Sequence, residues 1–211
     1  MFDIEYKGGN CIVVSSKKIN IVVDPKLSVV GLKDANVKDA IELATESRFA
    51  INSDAAKLVI ESPGEFGIGD FDIHGVAAQR HLDTEKDPKI STMYRIEIGD
   101  FHIAILGNIY EKLDDEELED IGIVDVLVIP VGGGGYTLDP TGATKITRQI
   151  DPKIVIPVHY ADPALKYEVP QLDVDAFIKE LGAPVEETTK LKVKNASSLP
   201  ASLTVYKVTR S

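Results

Sequence analysis

Two apolar stretches decide the fold of this chain, "VDVLVIPV" at residues 124–131 and "KIVIPVHY" at residues 153–160. Each is a continuous, largely β-branched run, as expected for a strand that is buried on both faces of a sheet. Between them lie a run of glycines and a helix signal, in which Asp139 can cap the helix and Pro140 suits its first position. Buried strands separated by a helix indicate an α/β protein.

Further strands and helices are predicted on both sides of these two stretches. The stretches "FDIEY", "CIVVSS" and "INIVVDP" are typical of strands near the start of the chain, and a hairpin is predicted across Gly99-Asp100. The segment at 191–208 is predicted to form a final strand pair. Helices are predicted at three further places: Asp34 to Ala44, a short acidic segment with Asp114 and Glu117 spaced as a capping box, and a segment capped by Asp173 and ended by Gly182.

A weak internal similarity suggests how these elements are arranged. "GDFDIHGV" at residues 69–76 and "GDFHIAIL" at residues 99–106 share a turn, an aromatic residue and an alternating strand. We therefore expect one domain over 1–211, built from two similar halves at roughly 1–85 and 86–211. The predicted fold is a four-layer αββα sandwich, with two mixed sheets and helices outside.

Composition and charge limit the classes of function. The chain has 211 residues, 44% of them hydrophobic, which is enough for a full core. The 34 acidic residues exceed the 23 basic residues, for a net charge of −11. This balance argues against nucleic acid as a partner, since binding to a phosphate backbone needs clustered Lys and Arg.

The sequence indicates a cytoplasmic protein. The N-terminal residues lack the long apolar region of a signal peptide, and no apolar run approaches the roughly 20 residues of a membrane span, so no membrane association is expected. Cys11 is the only cysteine, which excludes an internal disulfide and fits a reducing compartment. It lies in a predicted strand, so we expect a buried and inert thiol rather than a nucleophile.

Three polar residues follow predicted strands and are candidates for a site. His81, Asn108 and His159 each come at a strand end, where α/β folds place their functional loops. A single histidine at such a position is more often a hydrogen-bonded structural residue than a ligand. The run Gly132 to Gly135 could present backbone N–H groups to an anion, but a tightly turned connection explains it as well.

Several segments together resemble the metallo-β-lactamase fold, in the group of predicted zinc-dependent hydrolases that includes ascorbate-6-phosphate lactonase. The resemblance rests on "YKGGNCIVVSSKKINIVVDP", "SPGEFGIGDFDIHGVAAQRH", "HIAILGNI", "VDVLVIPVGG" and "IVIPVHY", which occur in the family's order and span nearly the whole chain. It implies the αββα sandwich, with a metal site at one edge between the halves. In that family, histidines and carboxylates hold two divalent ions that activate a water molecule for hydrolysis.

The sequence departs from that family at the metal ligands. The expected His-x-His-x-Asp-His run falls on "TESRFAI", which puts Glu46, Arg48, Ala50 and Ile51 at the ligand positions. Asn108 stands where the family has a bridging aspartate, and Gly9 stands where a histidine is often found. His81 and His159 are the remaining standard ligands. Alanine and isoleucine cannot coordinate a metal, and arginine is a permanent cation that would repel one.

These departures lead to a main hypothesis and an alternative. The main hypothesis is a metallo-β-lactamase-fold protein that has lost its dinuclear site, has no cofactor, and serves in binding or as a scaffold. Glu46 and Arg48 would then fill the old site, or Arg48 would help to bind an anionic small molecule. The alternative is a hydrolase of a phosphoester, lactone or similar ester, with one zinc or other divalent ion held by Glu46, His81 and His159. Assembly into a homo-oligomer is compatible with both.

Overall fold

A computed structural model describes all residues, 1–211, and contains two stacked β-sheets. The first sheet has the strand order β13-β1-β2-β3-β4-β5, and the second has the order β12-β14-β11-β10-β9-β8-β7-β6. The strands are β1 (Phe2–Gly8), β2 (Cys11–Ser15), β3 (Asn20–Val23), β4 (Ile41–Leu43), β5 (Leu58–Ile60), β6 (Gly64–Ile68), β7 (Phe71–Ala78), β8 (Ser91–Ile98), β9 (Phe101–Ile105), β10 (Val126–Pro130), β11 (Ile154–Val158), β12 (Val185–Thr188), β13 (Leu191–Val193) and β14 (Thr204–Val208). The α-helices are α1 (Asp115–Ile121), α2 (Pro140–Ile150) and α3 (Val174–Leu181).

The main hydrophobic core lies between the two sheets. Strand β1 illustrates how the sequence builds it, because Phe2, Ile4 and Tyr6 are buried while the alternate residues Asp3 and Glu5 are partly exposed. This two-residue period directs one face of the strand into the core. Strands β10 and β11 are buried along their whole length, as their continuous apolar sequences predict, and they pair in parallel.

The three α-helices cover the outer face of the second sheet, and their caps are those predicted from the sequence. The side chain of Asp139 accepts a hydrogen bond from the N–H of Gly142 at the start of α2. The capping box of α1 and the glycine that ends α3 are confirmed as well. The helices bury apolar side chains such as Ile146 and Phe177 against this sheet.

The helix predicted over Asp34 to Ala44 is wrong. Residues 41–43 form the short strand β4, which pairs in parallel with β3 and β5. Asp39 has a φ of 56°, which lies outside the range of a right-handed helix. Pairing with neighbouring strands has overridden local helix propensity. A 3-10 turn, Leu27–Val30, and loop residues therefore cover the outer face of the first sheet.

The predicted pairing of the last two strands is also wrong. Strand β13 pairs with β1 in the first sheet, whereas β14 pairs with β11 and β12 in the second. The segment at 194–203 carries the chain from one sheet to the other. A two-residue period cannot distinguish a hairpin from two strands in separate sheets, because both arrangements bury alternate side chains.

The prediction of an α/β sandwich with two mixed sheets is confirmed, and its topology fixes the position of the candidate site. The parallel strands β9, β10 and β11 end at one edge of the second sheet, and β3 and β4 end at the facing edge of the first. The two edges are joined by a hydrogen bond from the N–H of Thr92 to the carbonyl of Thr45, at 2.8 Å. None of the helices has the length and apolar character that crossing a membrane requires.

Candidate functional site

The candidate residues lie at the strand ends where the two sheets meet. Glu46 and Arg48 follow β4, His81 follows β7, Asn108 follows β9 and His159 follows β11. Glu46 and Asn108 are almost completely buried, at 4% and 1% exposure, and His159 is 9% exposed. Polar side chains with so little access to water need partners within the protein.

The carboxylate of Glu46 is engaged by two arginines. Arg48 donates from Nη2 to Oε1 at 3.2 Å, and its Nε lies 2.9 Å from Oε2 as an ion-pair contact without a hydrogen bond. Arg80 contributes Nη1 at 3.6 Å from Oε2, and its own guanidinium is anchored to Asp83. Two permanent cations therefore surround the one carboxylate at this position.

A chain of side-chain amides reaches the same carboxylate from the opposite side. Asn10 donates from Nδ2 to Oδ1 of Asn108 at 2.9 Å, and Asn108 donates from Nδ2 to Oε1 of Glu46 at 3.4 Å. Because Asn108 uses its oxygen to accept and its nitrogen to donate, its amide orientation is set by these two partners. Asn108, the residue expected at the position of the family's bridging carboxylate, thus connects Asn10 to Glu46 by hydrogen bonds.

Asp24 fixes the loop that carries Glu46. Its carboxylate accepts from the N–H and from the hydroxyl of Thr45, each at 2.7 Å. Burial raises the pKa of Asp24 to about 7, although both hydrogen bonds act in the opposite direction. Gly107 allows the close approach from the other sheet, since a Cβ there would lie 2.6 Å from Cβ of Thr45.

His159 is held in one orientation by its backbone and its side chain. Its N–H donates to the carbonyl of Gly9 at 2.8 Å, and its φ is 50°. Its Nδ1 lies 3.2 Å from Oε1 of Gln171, whose Nε2 donates to the carbonyl of Val169. This arrangement makes Nδ1 the donor and leaves Nε2 as an acceptor. Burial lowers the pKa of His159 to about 4, so the ring is neutral at pH 7.

His81 is separated from the other candidates. Its N–H donates to the carbonyl of Asn108 at 2.8 Å, and its Nδ1 lies 3.3 Å from the carbonyl of Ile109. Both contacts belong to a short stretch of antiparallel pairing that includes Arg80 and Ile109. The structure therefore joins Glu46, Arg48 and Asn108 through their side chains, and it connects His81 to them only through backbone.

A shallow cleft opens beside this cluster, with a volume of about 50 Å³. Arg48, Asn108 and His159 line it together with residues from the loops after β10 and β11. The guanidinium of Arg48 lies 4.6 Å from the centre of the Phe49 ring and 5.9 Å from that of Tyr136. The remaining walls come from apolar and polar side chains, so the cleft offers both kinds of contact.

The glycine run brings the loop after β10 against the loop after β11. A Cβ at Gly132 would lie 2.2 Å from the carbonyl oxygen of His159 and 2.5 Å from Oε1 of Gln171. The next three glycines have φ values of 70–78°, and the chain then reaches Tyr136 at the cleft. Gly132 thus permits the loop after β10 to pack directly on the loop that orients His159.

The side chains present do not fit the zinc site that the fold family implies. The carboxylate of Glu46 already forms ion pairs with two arginines and accepts from Asn108, so metal binding would require breaking those contacts. The oxygen of Asn108 accepts from Asn10. No group of three or more His, Cys, Asp or Glu side chains is arranged to hold a metal ion. A divalent ion would also lie beside a guanidinium, with a large repulsive energy.

Several residues of the site were missed in the sequence. Arg80 comes directly before His81 and could have been considered as a second cation, but nothing in the pattern indicates that it reaches Glu46. Asn10 and Gln171 are polar residues in loops, and their roles depend on contacts between segments far apart in the chain. Glu168 and Tyr167 lie in the same loop and line the cleft without any sequence signal.

Comparison with known proteins gives a consistent result. Residues 3–159 match a family model described as the Beta-lactamase superfamily domain. A UPF0173 metal-dependent hydrolase of Thermodesulfovibrio yellowstonii is 26% identical, over 81% of this chain and 74% of the relative. A UPF0173 protein of Pyrococcus abyssi is 25% identical, over 74% of this chain and 82% of the relative.

Solved structures with the same fold include two from thermophiles. A protein of Thermotoga maritima, assigned as a Zn-dependent hydrolase of the metallo-beta-lactamase superfamily, superposes with a TM-score of 0.77 at 24% identity. The match covers 99% of this chain and 100% of that one. The metallo hydrolase Igni18 of Ignicoccus hospitalis has a TM-score of 0.65 at 19% identity, over 99% and 95% of the two chains.

Proposed function

This chain belongs to the metallo-β-lactamase superfamily, and we propose that it is a non-hydrolytic member in which protein cations occupy the place of the metal ions. The observation that carries the proposal is the pairing of the buried Glu46 carboxylate with Arg48 and Arg80. A guanidinium supplies positive charge but offers no vacant coordination site, so it cannot activate a water molecule as a metal does.

The remaining polar groups support the same proposal. Asn108 is a neutral amide that accepts from Asn10 and donates to Glu46. His159 is neutral and donates from Nδ1, and His81 is bound to backbone at another segment. A hydrolase of this fold needs several carboxylates and imidazoles that converge on one ion. Here the carboxylate is neutralised, and the two histidines have separate partners.

A binding role is the function that this geometry supports best. In this proposal the cluster of Glu46, Arg48, Arg80 and Asn108 takes the place of the metal ions, and the cleft lies beside it. Nδ1 of His159 contacts Oε1 of Gln171, and this contact orients the imidazole ring next to that cleft. A preformed cleft with a few fixed polar groups is the usual form of a small-molecule site.

The alternative, hydrolysis with a single divalent ion, draws its support from relatives that are named as metal-dependent hydrolases and from the free Nε2 of His159. It requires Glu46 to leave both arginines and His81 to turn away from the carbonyl of Ile109. Loss of two charge-assisted contacts opposes this rearrangement. We therefore favour the metal-free form.

Hydrolysis assays test the proposal. The protein is incubated with bis(p-nitrophenyl) phosphate and with a simple lactone, without added metal and with zinc or manganese. We expect rates equal to those of the same metal in buffer. A metal-dependent rate that disappears in a His81→Gln and His159→Asn double variant would overturn the proposal. Asparagine is chosen at 159 because it tolerates the positive φ of that position.

A further inference from the structure

We propose that the cleft binds a small zwitterion of the amino-acid class, with its carboxylate at Arg48 and its ammonium group at Glu168. The inference rests on the proposed function, because a metal ion at the cluster would compete with Arg48 for Glu46. It also refines the expectation of an anionic ligand. Both charged residues line the cleft, and they carry opposite charges.

Arg48 has one side of its guanidinium free for a ligand. Its Nε and Nη2 face Glu46, whereas its Nη1 makes no hydrogen bond within the chain. The side chain is 38% exposed, and the Phe49 ring lies against it. The position of the guanidinium is therefore fixed on one side while the other side faces the cleft. A planar fork held in this way is suited to a carboxylate.

Glu168 supplies the complementary negative charge. It is exposed, and it has no ion pair with any lysine, arginine or histidine of the chain. The Glu168 carboxylate beside the hydroxyl of Tyr136 raises the pKa of that tyrosine. A free carboxylate in the wall of the cleft repels a simple anion and attracts a cationic group. A ligand with both charges satisfies Arg48 and Glu168 together.

The floor of the cleft has neutral polar groups. His159 presents Nε2 as an acceptor, and its neutral ring adds no attraction for an anion at pH 7. Tyr167 also lines the cleft, but its hydroxyl lies beside the hydroxyl of Tyr6 and the backbone of Gly9. The neutral acceptor of His159 suits an N–H group of an amino acid better than it suits a second anionic group.

The apolar part of the cleft favours a hydrophobic side chain on that ligand. Val29, Val30 and Val169 line it together with the ring of Phe49. Val29 is 43% exposed, so apolar surface is available for a ligand to cover. Burial of this surface adds favourable free energy in proportion to its area. We therefore expect valine, leucine, isoleucine, methionine or phenylalanine rather than a polar amino acid.

Calorimetry with matched ligands tests the inference. The five amino acids are titrated into the intact, metal-analysed protein, and the leucine analogues 4-methylpentanoate and 3-methylbutylamine are titrated in parallel. We expect at least one amino acid to bind with a Kd below about 1 mM. Loss of either charged group from leucine should weaken binding about tenfold, as should Glu168→Gln, since each removes one charge-assisted contact. Glu180→Gln, which removes an exposed carboxylate on α3, should leave the affinity unchanged.

Two results would overturn the inference. The first is that none of the five amino acids binds, and the second is that 4-methylpentanoate binds as tightly as leucine in both the wild type and Glu168→Gln. Either result, in protein that is free of metal and without hydrolytic activity, leaves the metal-free proposal standing. Bound metal in the same sample would instead count against the proposed function, so the two failures are distinguishable.

Discussion

At the scale of single residues, Glu46 determines the chemistry of the site. In a metal centre its carboxylate would be one of several ligands, but here it is paired with Arg48 and Arg80. That Glu46 and Arg48 stand at metal-ligand positions of the family stays a prediction from the sequence. The contribution of Arg80 was not predictable, because it depends on how β7 ends relative to β4.

Replacing Glu46 by glutamine is expected to destabilise the protein. Glu46→Gln leaves two guanidiniums close together without their shared carboxylate. Both arginines are partly exposed, so water compensates some of the loss, and we expect the free energy of unfolding to fall by about 1–2 kcal/mol. Urea denaturation measures the change. Glu180→Gln is the matched control, with an expected change below about 0.5 kcal/mol, and an equal effect of both variants would refute the role of Glu46.

His159 and Asp24 make opposite contributions to the pH dependence of stability. The pKa of His159 is lowered to about 4 in the folded protein, so the unfolded chain binds more protons between that pH and 6.5. Its contribution to stability is therefore lost as the pH falls from 6.5 to 4. The pKa of Asp24 is raised to about 7, so its contribution is present at acid pH and is lost as the pH rises through 7.

A pair of variants separates the two effects. Asp24→Asn removes the opposing contribution of Asp24 to the pH dependence. The free energy of unfolding of this variant should therefore fall by up to about 3 kcal/mol between pH 6.5 and pH 4, because of His159. Adding His159→Asn should make this fall smaller by about that amount. Denaturation of both variants at several pH values gives the difference. Parallel pH profiles for the two would show that His159 is not held neutral by burial.

At the scale of secondary-structure elements, the strand ends make the site. The continuous apolar runs of β10 and β11, the hairpin of β8 and β9 and the caps of α1, α2 and α3 were predictable, because each depends on local chemistry. The short strand β4 was not, since three residues carry no useful period, and the pairing of β13 with β1 was not, since it joins distant segments. The pairing of β4 leads the chain to Glu46, which contacts Asn108 from the other sheet.

The contact of the β10 loop with the β11 loop predicts different effects at two glycines. Gly132→Ala places a Cβ within 2.2 Å of the carbonyl of His159, so the two loops must separate, and we expect a loss of about 2–4 kcal/mol of stability. Gly135→Ala meets no atom within 4 Å, and its positive φ alone should cost about 1 kcal/mol. Thermal or urea denaturation compares them. Equal losses would contradict the packing described for Gly132.

At the scale of the whole molecule, the fold was predictable and the ligand was not. The family's ordered motifs run through nearly the entire sequence, and the sandwich with its site at the meeting edges follows from them. The cleft depends on the loops 132–136 and 167–171, which come together only in the folded chain. The fold is that of the superfamily, and in the proposed function an ion-pair cluster of Glu46, Arg48 and Arg80 takes the place of the metal ions.

The most direct test of the metal-free site is the metal content of the native protein. The chain is purified without a tag and without chelator, and zinc, manganese and iron are measured by mass spectrometry against protein concentration. We predict only traces, far below one equivalent, and no change in the His81→Gln and His159→Asn double variant. Near-stoichiometric metal in the wild type that is lost in a folded double variant would contradict the account.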